Sequence, residues 1–285
     1  MLGTEGVEIL LIDDGSRDES WKVIEGLARE YAIVRGIALM RNYGQHNATL
    51  CGIRAASKDV IVTMDDDLQN PPEEIPRLLA KLMQYDVVYG SPEKDAHGIL
   101  RRSASRITKW ALRSAMGAET ANHVSAFRAF HTVLRKGFAA YESPYVSIDV
   151  LLTWATQRFT SVTVRNDLRE MGTSNYTVWK LMAHALNMMT GFSVLPLQLA
   201  SITGFVFTGF GFGVLLFVLV RYFIHGTAVP GFPFLASTVA IFSGAQLFAL
   251  GIIGEYLARM HFRTMDKPTY VKRTDTGANA ADGDN

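Results

Sequence analysis

The sequence predicts an α/β domain with a mostly parallel sheet and helices on both faces, followed by a two-helix transmembrane hairpin. Short apolar runs alternate with helical patterns over residues 7–89, which is typical of strand–helix–strand units. Nearer the C-terminus, the stretches 191–220 and 222–254 contain no Asp, Glu, Lys or Arg. Each stretch exceeds the ~20 apolar residues that span the hydrocarbon core of a bilayer.

Within the α/β part, each element follows from local patterning. Ser16 with Glu19 three residues later forms a capping-box pattern, and we expect Ser16 to begin the first helix. Pro71 and Pro72 fit the first turn of a helix over 73–84. The apolar runs that predict strands are 7–12, 34–40, 60–64, 86–89 and 159–164.

The chain divides into four predicted regions. Residues 1–175 form a globular domain, 176–190 an amphipathic helix at the membrane interface, and 191–258 the hairpin. Residues 259–285 form a basic tail that becomes disordered from about Thr274. Basic residues follow the second span, whereas the connection between the spans holds little positive charge. The positive-inside rule therefore places the globular domain in the cytoplasm, with the chain as a multi-pass protein of the cell membrane.

Overall composition narrows the function classes. The formal net charge is +1, which gives no argument for a nucleic-acid partner. Cys51 is the only cysteine, so an intrachain disulfide is excluded, and its small apolar neighbours favour a core position over a nucleophilic thiol. The sequence leaves open whether the chain forms a homo-oligomer.

An acidic cluster after the third predicted strand is the strongest chemical signal. Side chains alternate along an extended chain, so Asp65, Asp67 and Gln69 can face one side while Asp66 points away. Mg²⁺ and Mn²⁺ prefer oxygen ligands, and Mg²⁺ sites commonly combine one or two carboxylates with substrate phosphates. Because ligands bind outside the carboxyl ends of strands in such sheets, this cluster and the Asp13–Asp14 turn are candidate site elements.

Several segments together resemble the family 2 glycosyltransferases, and in particular the polyprenyl-phosphate glycosyltransferase branch related to dolichyl-phosphate mannose synthase. The resemblance covers nearly the whole chain, including the hairpin. The segments that carry it are 8–18 (EILLIDDGSRD), 41–44 (RNYG), 64–72 (MDDDLQNPP), 169–176 (REMGTSNY), 192–197 (FSVLPL) and 250–256 (LGIIGEY).

The resemblance implies a GT-A fold and a set of site residues. It implies that Asp14 contacts the nucleoside of the donor and that Asp65 holds its ribose or diphosphate. Asp67 and Gln69 would bind the metal, and Arg169 would face the donor phosphate. Asn175 stands where the family often has Lys. The basic residues implied for the lipid phosphate are Arg101, Arg102 and Arg128.

The implied reaction moves a sugar from a nucleotide sugar to a polyprenyl phosphate with inversion, at the surface of the lipid bilayer. The nucleophile is an ionised phosphate oxygen, so positioning and charge neutralisation replace a strong general base. A divalent metal would stabilise the departing nucleoside diphosphate.

Three alternatives stay open at this point. The family normally has a strand and a Pro-x-Tyr-Asn-Glu-like loop before the segment at Val7, and the sequence lacks them. A truncated or degenerate, non-catalytic membrane protein of the same fold is therefore the main alternative. A processive polysaccharide synthase is disfavoured because no Gln-x-x-Arg-Trp motif is present. A transporter would need more than one hairpin.

Overall fold

The computed structural model describes residues 6–67, 69–92, 124–165, 167, 194–225 and 231–277. The chain forms two compact units. The first combines Met1–Ala185 with Phe262–Asn285, and the second is Leu186–His261. The predicted interfacial helix at 176–190 lies outside the described residues.

The first unit contains seven described strands and four described α-helices. The strands are β1 (Ile9–Asp13), β2 (Val34–Leu39), β3 (Val60–Thr63), β4 (Val87–Pro92), β5 (Arg128–His131), β6 (Phe159–Val164) and β7 (Lys272–Asp275). The helices are α1 (Ser20–Glu30), α2 (Gln45–Ala55), α3 (Ile75–Leu82) and α4 (Ile148–Ala155), and 3₁₀ turns occur at Pro72–Glu74 and Thr132–Phe138.

Two sheets organise these strands, and their pairing is mixed rather than mostly parallel. One sheet has the order β1-β2-β7 and the other β3-β5-β4-β6. The pairs β1/β2 and β4/β6 are parallel, whereas β2/β7, β3/β5 and β4/β5 are antiparallel. The difference arises because β5 and β7 come from outside the regular strand–helix alternation. Both enter against the direction of their neighbours.

Strand β1 is less covered than its neighbour β2. Within the described residues, β1 pairs with β2 alone and β3 pairs with β5 alone. Ile9 is consequently 42% exposed, whereas Ile37 in β2 is fully buried. The amino ends of β1 and β3 are nevertheless connected, because the Glu8 carboxylate accepts hydrogen bonds from the Ser57 and Lys58 amides.

Each sheet packs against a helix through small or branched side chains. Helix α2 places Ala48 and Cys51 against β2, so Cys51 is a core residue, as its neighbours predicted. Helix α3 packs Leu78 and Leu82 against β4 and β5. Because each helix covers the sheet that its preceding strand joins, the loops at the carboxyl ends of the strands keep fixed positions.

The first helix begins later than its capping-box pattern predicted. Helix α1 starts at Ser20, and Glu19 occupies the cap position without a side-chain cap bond. The Ser16 amide instead donates to Asp13 Oδ1, and the Ser20 amide donates to Asp18 Oδ1. Ser16 is therefore part of the turn after β1. The prediction of Ser16 as the cap was wrong because the local Asx turns take up the backbone donors first.

Residues 274–277, at the start of the stretch predicted to be disordered, are ordered. Strand β7 pairs antiparallel with β2, and the Thr276 amide donates to the Gly36 carbonyl. Arg35 makes two hydrogen bonds of 2.7 Å to the Asp275 carboxylate. Hydrogen bonding from Arg35 lowers the pKa of Asp275 to about 2. The prediction was wrong for residues 274–277, because the edge of β2 supplies hydrogen-bond partners that their polar composition does not reveal, and residues 278–285 lie outside the described residues.

The second unit consists of two long apolar helices, α5 (Leu195–His225) and α6 (Phe232–Thr264). Both contain a stretch long and apolar enough to cross a membrane, at Leu195–Ile224 and Ile241–Thr264. Neither stretch is buried within the structure. Where Phe242 comes opposite Gly211, a Cβ on that glycine would lie only 2.9 Å from the ring, so glycine permits the two helices to approach closely there.

Candidate functional site

Three loops with polar side chains meet at the carboxyl ends of β1, β2 and β3. They are the turn at Asp13–Asp14, the segment 41–45 and the acidic turn at 65–69. Hydrogen bonds join the segment 41–45 to Asp14 on one side and to the acidic turn on the other. The carboxyl edge of the sheets is where an α/β domain binds ligands.

Asp14 fixes the loop that follows β2. Its Oδ1 accepts from the Tyr43 amide and its Oδ2 from the Gly44 amide, each at 2.7 Å. Gly44 has a φ of 96°, and α2 begins at the next residue. A carboxylate that accepts two backbone N–H groups is held firmly, so Asp14 sets where α2 starts.

Gly15 allows the first two loops to approach each other. Its φ is 72°, and a Cβ built there would lie 2.6 Å from the carbonyl carbon of Arg41. Both the backbone angle and the contact exclude a side chain at this position. The Arg41 guanidinium in turn lies 4.2 Å from the centre of the Tyr43 ring.

Gln45 connects this loop to the acidic turn, and sequence reasoning did not identify it. Its Nε2 donates to Asp65 Oδ1 at 2.6 Å. Gln45 is the first residue of α2, directly after the 41–44 motif. The only sequence signal for a role of Gln45 was its position directly after the 41–44 motif, because no local pattern links residues 45 and 65.

The carboxyl group of Asp65 has a raised pKa. Burial raises the pKa of Asp65, and the negative charge of Asp67 raises it further. The hydrogen bond from Gln45 and the positive charge of Arg128 act in the opposite direction. A partly buried carboxylate beside a second carboxylate is an environment that a cation would relieve.

The rest of the acidic turn is held by one hydrogen bond within the turn and one from a residue outside it. Asp67 Oδ1 accepts from the Gln69 amide at 3.2 Å, and the Gln69 carbonyl accepts from the Asp167 amide at 2.9 Å. Asp65, Asp67 and Gln69 are partly buried, whereas Asp66 is exposed. Oxygen atoms of Asp65, Asp67 and Gln69 fit the preference of a hard divalent cation. Among the described residues, no group of three or more His, Cys, Asp or Glu side chains is placed to hold a metal ion.

Arg128 lies in the core rather than on a surface that could receive a lipid phosphate. Its side chain is 4% exposed, and it forms an ion pair with Asp149, which is 7% exposed. Its Nε donates to Thr63 Oγ1 at 3.1 Å, and the Tyr89 hydroxyl donates to Asp149 at 3.1 Å. The predicted role in lipid-phosphate binding does not fit this geometry, because Asp149 and Thr63 already accept from the guanidinium.

The remaining predicted site residues are not placed by the structure. Arg101, Arg102, Arg169 and Asn175 lie outside the described residues. Asp167, two positions before Arg169 in the sequence, is the described residue nearest to that motif, and its amide binds the acidic turn.

Comparison with known proteins identifies the family. The model of the family described as Glycosyl transferase family 2 matches residues 3–141. The undecaprenyl-phosphate 4-deoxy-4-formamido-L-arabinose transferase of Pseudomonas fluorescens is 35% identical over 267 residues, covering 92% of this chain and 79% of the relative. The chain belongs to glycosyl transferase family 2. Relatives with the same name in Yersinia enterocolitica and Klebsiella pneumoniae are each 34% identical, covering 96% of this chain and 85% and 87% of their own lengths.

Family 2 membership agrees with the fold class that the sequence predicted, an α/β domain of the GT-A type followed by two apolar helices. Among solved structures, glucosyl-3-phosphoglycerate synthase of Mycobacterium tuberculosis, in complex with Mn²⁺, UDP and glucosyl-3-phosphoglycerate, is similar with a TM-score of 0.44 and 18% identity. The similarity covers 64% of this chain and 66% of that chain.

Proposed function

We propose that this family 2 enzyme transfers a sugar from a nucleotide sugar to a polyprenyl phosphate of the undecaprenyl type. The observation that carries the proposal is the similarity to undecaprenyl-phosphate sugar transferases over 92–96% of the chain, which extends through both apolar helices. A relationship over the catalytic domain alone would support a glycosyltransferase without indicating its acceptor.

The donor half of the proposal rests on the three joined loops. Asp65, Asp67 and Gln69 would hold the ribose, the diphosphate and a divalent cation, either Mg²⁺ or Mn²⁺, with Asp14 near the nucleoside. Each oxygen of Asp14 that accepts a backbone N–H retains a second lone pair for a ligand. Arg169 and Asn175 are proposed to face the donor phosphates. A bound cation would neutralise charge that develops on the diphosphate as it departs.

On the acceptor side, the enzyme has to position the polyprenyl phosphate rather than remove a proton from it. A phosphate oxygen of the lipid attacks the anomeric carbon, the bond from that carbon to the nucleoside diphosphate breaks, and the configuration inverts. The attacking oxygen is already ionised at neutral pH, so no described side chain has to remove a proton. Arg101 and Arg102 are proposed to neutralise the lipid phosphate. Arg128 is not included, because its guanidinium is engaged in the core.

Membrane attachment would bring the two substrates together. Helices α5 and α6 are proposed to span the bacterial inner membrane with the family 2 domain on the cytoplasmic side, since basic residues such as Lys267 and Arg273 follow the second span. The acceptor phosphate would lie at headgroup depth beside that domain. Self-association of the chain is part of the proposal and is testable by light scattering in detergent.

The test is a transfer assay with the full chain in detergent or nanodiscs, undecaprenyl phosphate and Mn²⁺. Nucleotide-activated 4-deoxy-4-formamido-L-arabinose and nucleotide-activated hexoses are supplied separately, and the lipid product is detected by mass spectrometry. We expect one donor to yield a lipid whose mass rises by one sugar residue. Calorimetric titration with UDP, GDP and dTDP identifies the base. A folded chain that binds none of the nucleotides and forms no product would favour a non-catalytic protein of the same fold.

A further inference from the structure

Hydrogen bonds at the carboxyl edge link the turn after β1 to the acidic turn after β3 through the segment 41–45, which donates to both. Asp14 holds the amides of Tyr43 and Gly44, and these residues immediately precede Gln45. Gln45 then donates to Asp65. Each link is 2.6–2.7 Å long, which is short for N–H···O hydrogen bonds and typical of an ionised acceptor.

We infer that Gln45 is a positioning residue for the donor site, fixing the Asp65 carboxylate, and that Asp14 acts through it by setting the start of α2. The inference rests on the proposed function, because it assigns how the same donor site is organised. Gln45 is not a catalytic residue here, since its contact is with Asp65 and not with a reacting atom.

The geometry explains why Asp65 needs an external donor. Asp65 is at the first position of the acidic turn, just beyond the end of β3, so no strand pairing fixes it. The neighbouring carboxylate of Asp67 repels it, and Arg128 interacts with it from the core side. The Gln45 carboxamide donates a side-chain hydrogen bond to Asp65, which selects one orientation of the carboxylate.

The rigidity of Gln45 comes from the start of its own helix. The Asn47 and Ala48 amides both donate to the Gly44 carbonyl, and the Thr49 hydroxyl donates to the Gln45 carbonyl at 2.8 Å. Asn47 Nδ2 donates to the Tyr43 carbonyl at 2.7 Å. The backbone of residue 45 is therefore fixed from both sides, and only its side-chain rotamers remain to be selected by Asp65.

The test replaces Gln45 by Met, which has similar length and helix propensity but no donor. Titrations of the full chain with UDP, GDP and dTDP in the presence of Mn²⁺ give the dissociation constant. We expect the Gln45→Met change to weaken metal-dependent nucleotide binding about tenfold, the equivalent of about 1.4 kcal/mol for a hydrogen bond to a charged acceptor. Gln84→Met, the same change at an exposed glutamine between α3 and β4, serves as the matched control and should alter binding less than about twofold.

A double-substitution cycle with Asp65→Asn separates positioning from a general effect on the helix. If Gln45 acts through Asp65, Gln45→Met should cost less than about threefold when the charge of residue 65 is already absent. An equal cost in both backgrounds would overturn the inference, as would unchanged binding by Gln45→Met in a chain that binds nucleotide normally. If the unsubstituted folded chain binds no nucleotide, the proposed function fails and the inference fails with it.

Discussion

Removing one partner of the buried Arg128–Asp149 pair should destabilise the family 2 domain strongly. The two side chains are 4% and 7% exposed, and they join β5 to α4. Arg128→Met leaves the Asp149 carboxylate in the core with the Tyr89 hydroxyl as its remaining described hydrogen-bond donor. Breaking a buried pair from one side costs about 3–5 kcal/mol, because the other charge stays buried without compensation.

The magnitude translates into a measurable thermal shift. For a domain of about 150–250 residues, 1 kcal/mol lowers Tm by about 2–4 °C, so Arg128→Met should lower it by about 6–20 °C. The assay is circular dichroism or tryptophan fluorescence of the full chain in detergent during heating. The double change Arg128→Met with Asp149→Leu should cost less than Arg128→Met alone, because both desolvated charges are removed.

Two results would refute this reasoning. A Tm within about 2 °C of the unsubstituted chain for Arg128→Met would show that the pair does not stabilise the core. Alternatively, an unchanged Tm combined with a large loss of affinity for undecaprenyl phosphate would return Arg128 to the lipid-phosphate site that its sequence position first suggested. Tyr89→Phe provides a milder control, with an expected loss of about 1 kcal/mol from one hydrogen bond.

Three further predictions concern the loops and the C-terminal strand. Gly15→Ala should destabilise the domain by about 1–3 kcal/mol and weaken nucleotide binding, because the φ of Gly15 is 72° and a Cβ there would collide with the Arg41 backbone. Gly26→Ala in α1 is the control: a Cβ has free space there, so Tm should stay unchanged or rise. Asp275 has a pKa of about 2 in the folded state, below its usual 3.8. Its ion pair with Arg35 should therefore add about 1–2 kcal/mol to the free energy of unfolding above pH 4, and this contribution should be lost between about pH 4 and pH 2. The free energy of unfolding of Asp275→Asn should lack this part of the pH dependence. Asp67→Ala should abolish the Mn²⁺-dependent part of nucleotide binding measured by calorimetry. Its Tm should fall by only a few degrees, because the change removes one 3.2 Å hydrogen bond from the Gln69 amide.

The sequence determined the features that depend on neighbouring residues. Apolar periodicity predicted the positions of strands β1 to β4 and β6 to within a few residues, and the uncharged stretches predicted helices α5 and α6. The acidic turn at 65–69 and its neighbour at Asp14 were identified because strand ends and closely spaced carboxylates are local patterns. The role of these carboxylates in binding the donor and the metal stays a prediction, which the nucleotide titrations with Mn²⁺ will check.

Only the tertiary structure decided which distant segments meet. Strand β5 enters between β3 and β4, and β7 pairs with β2 from more than two hundred positions away. A buried Arg128 and an exposed arginine look the same in sequence, because burial depends on partners such as Asp149 that come from other elements. The Gln45–Asp65 bond belongs to the same class. Long-range pairing follows from the sum of many contacts across the core, and no window of neighbouring residues contains that sum.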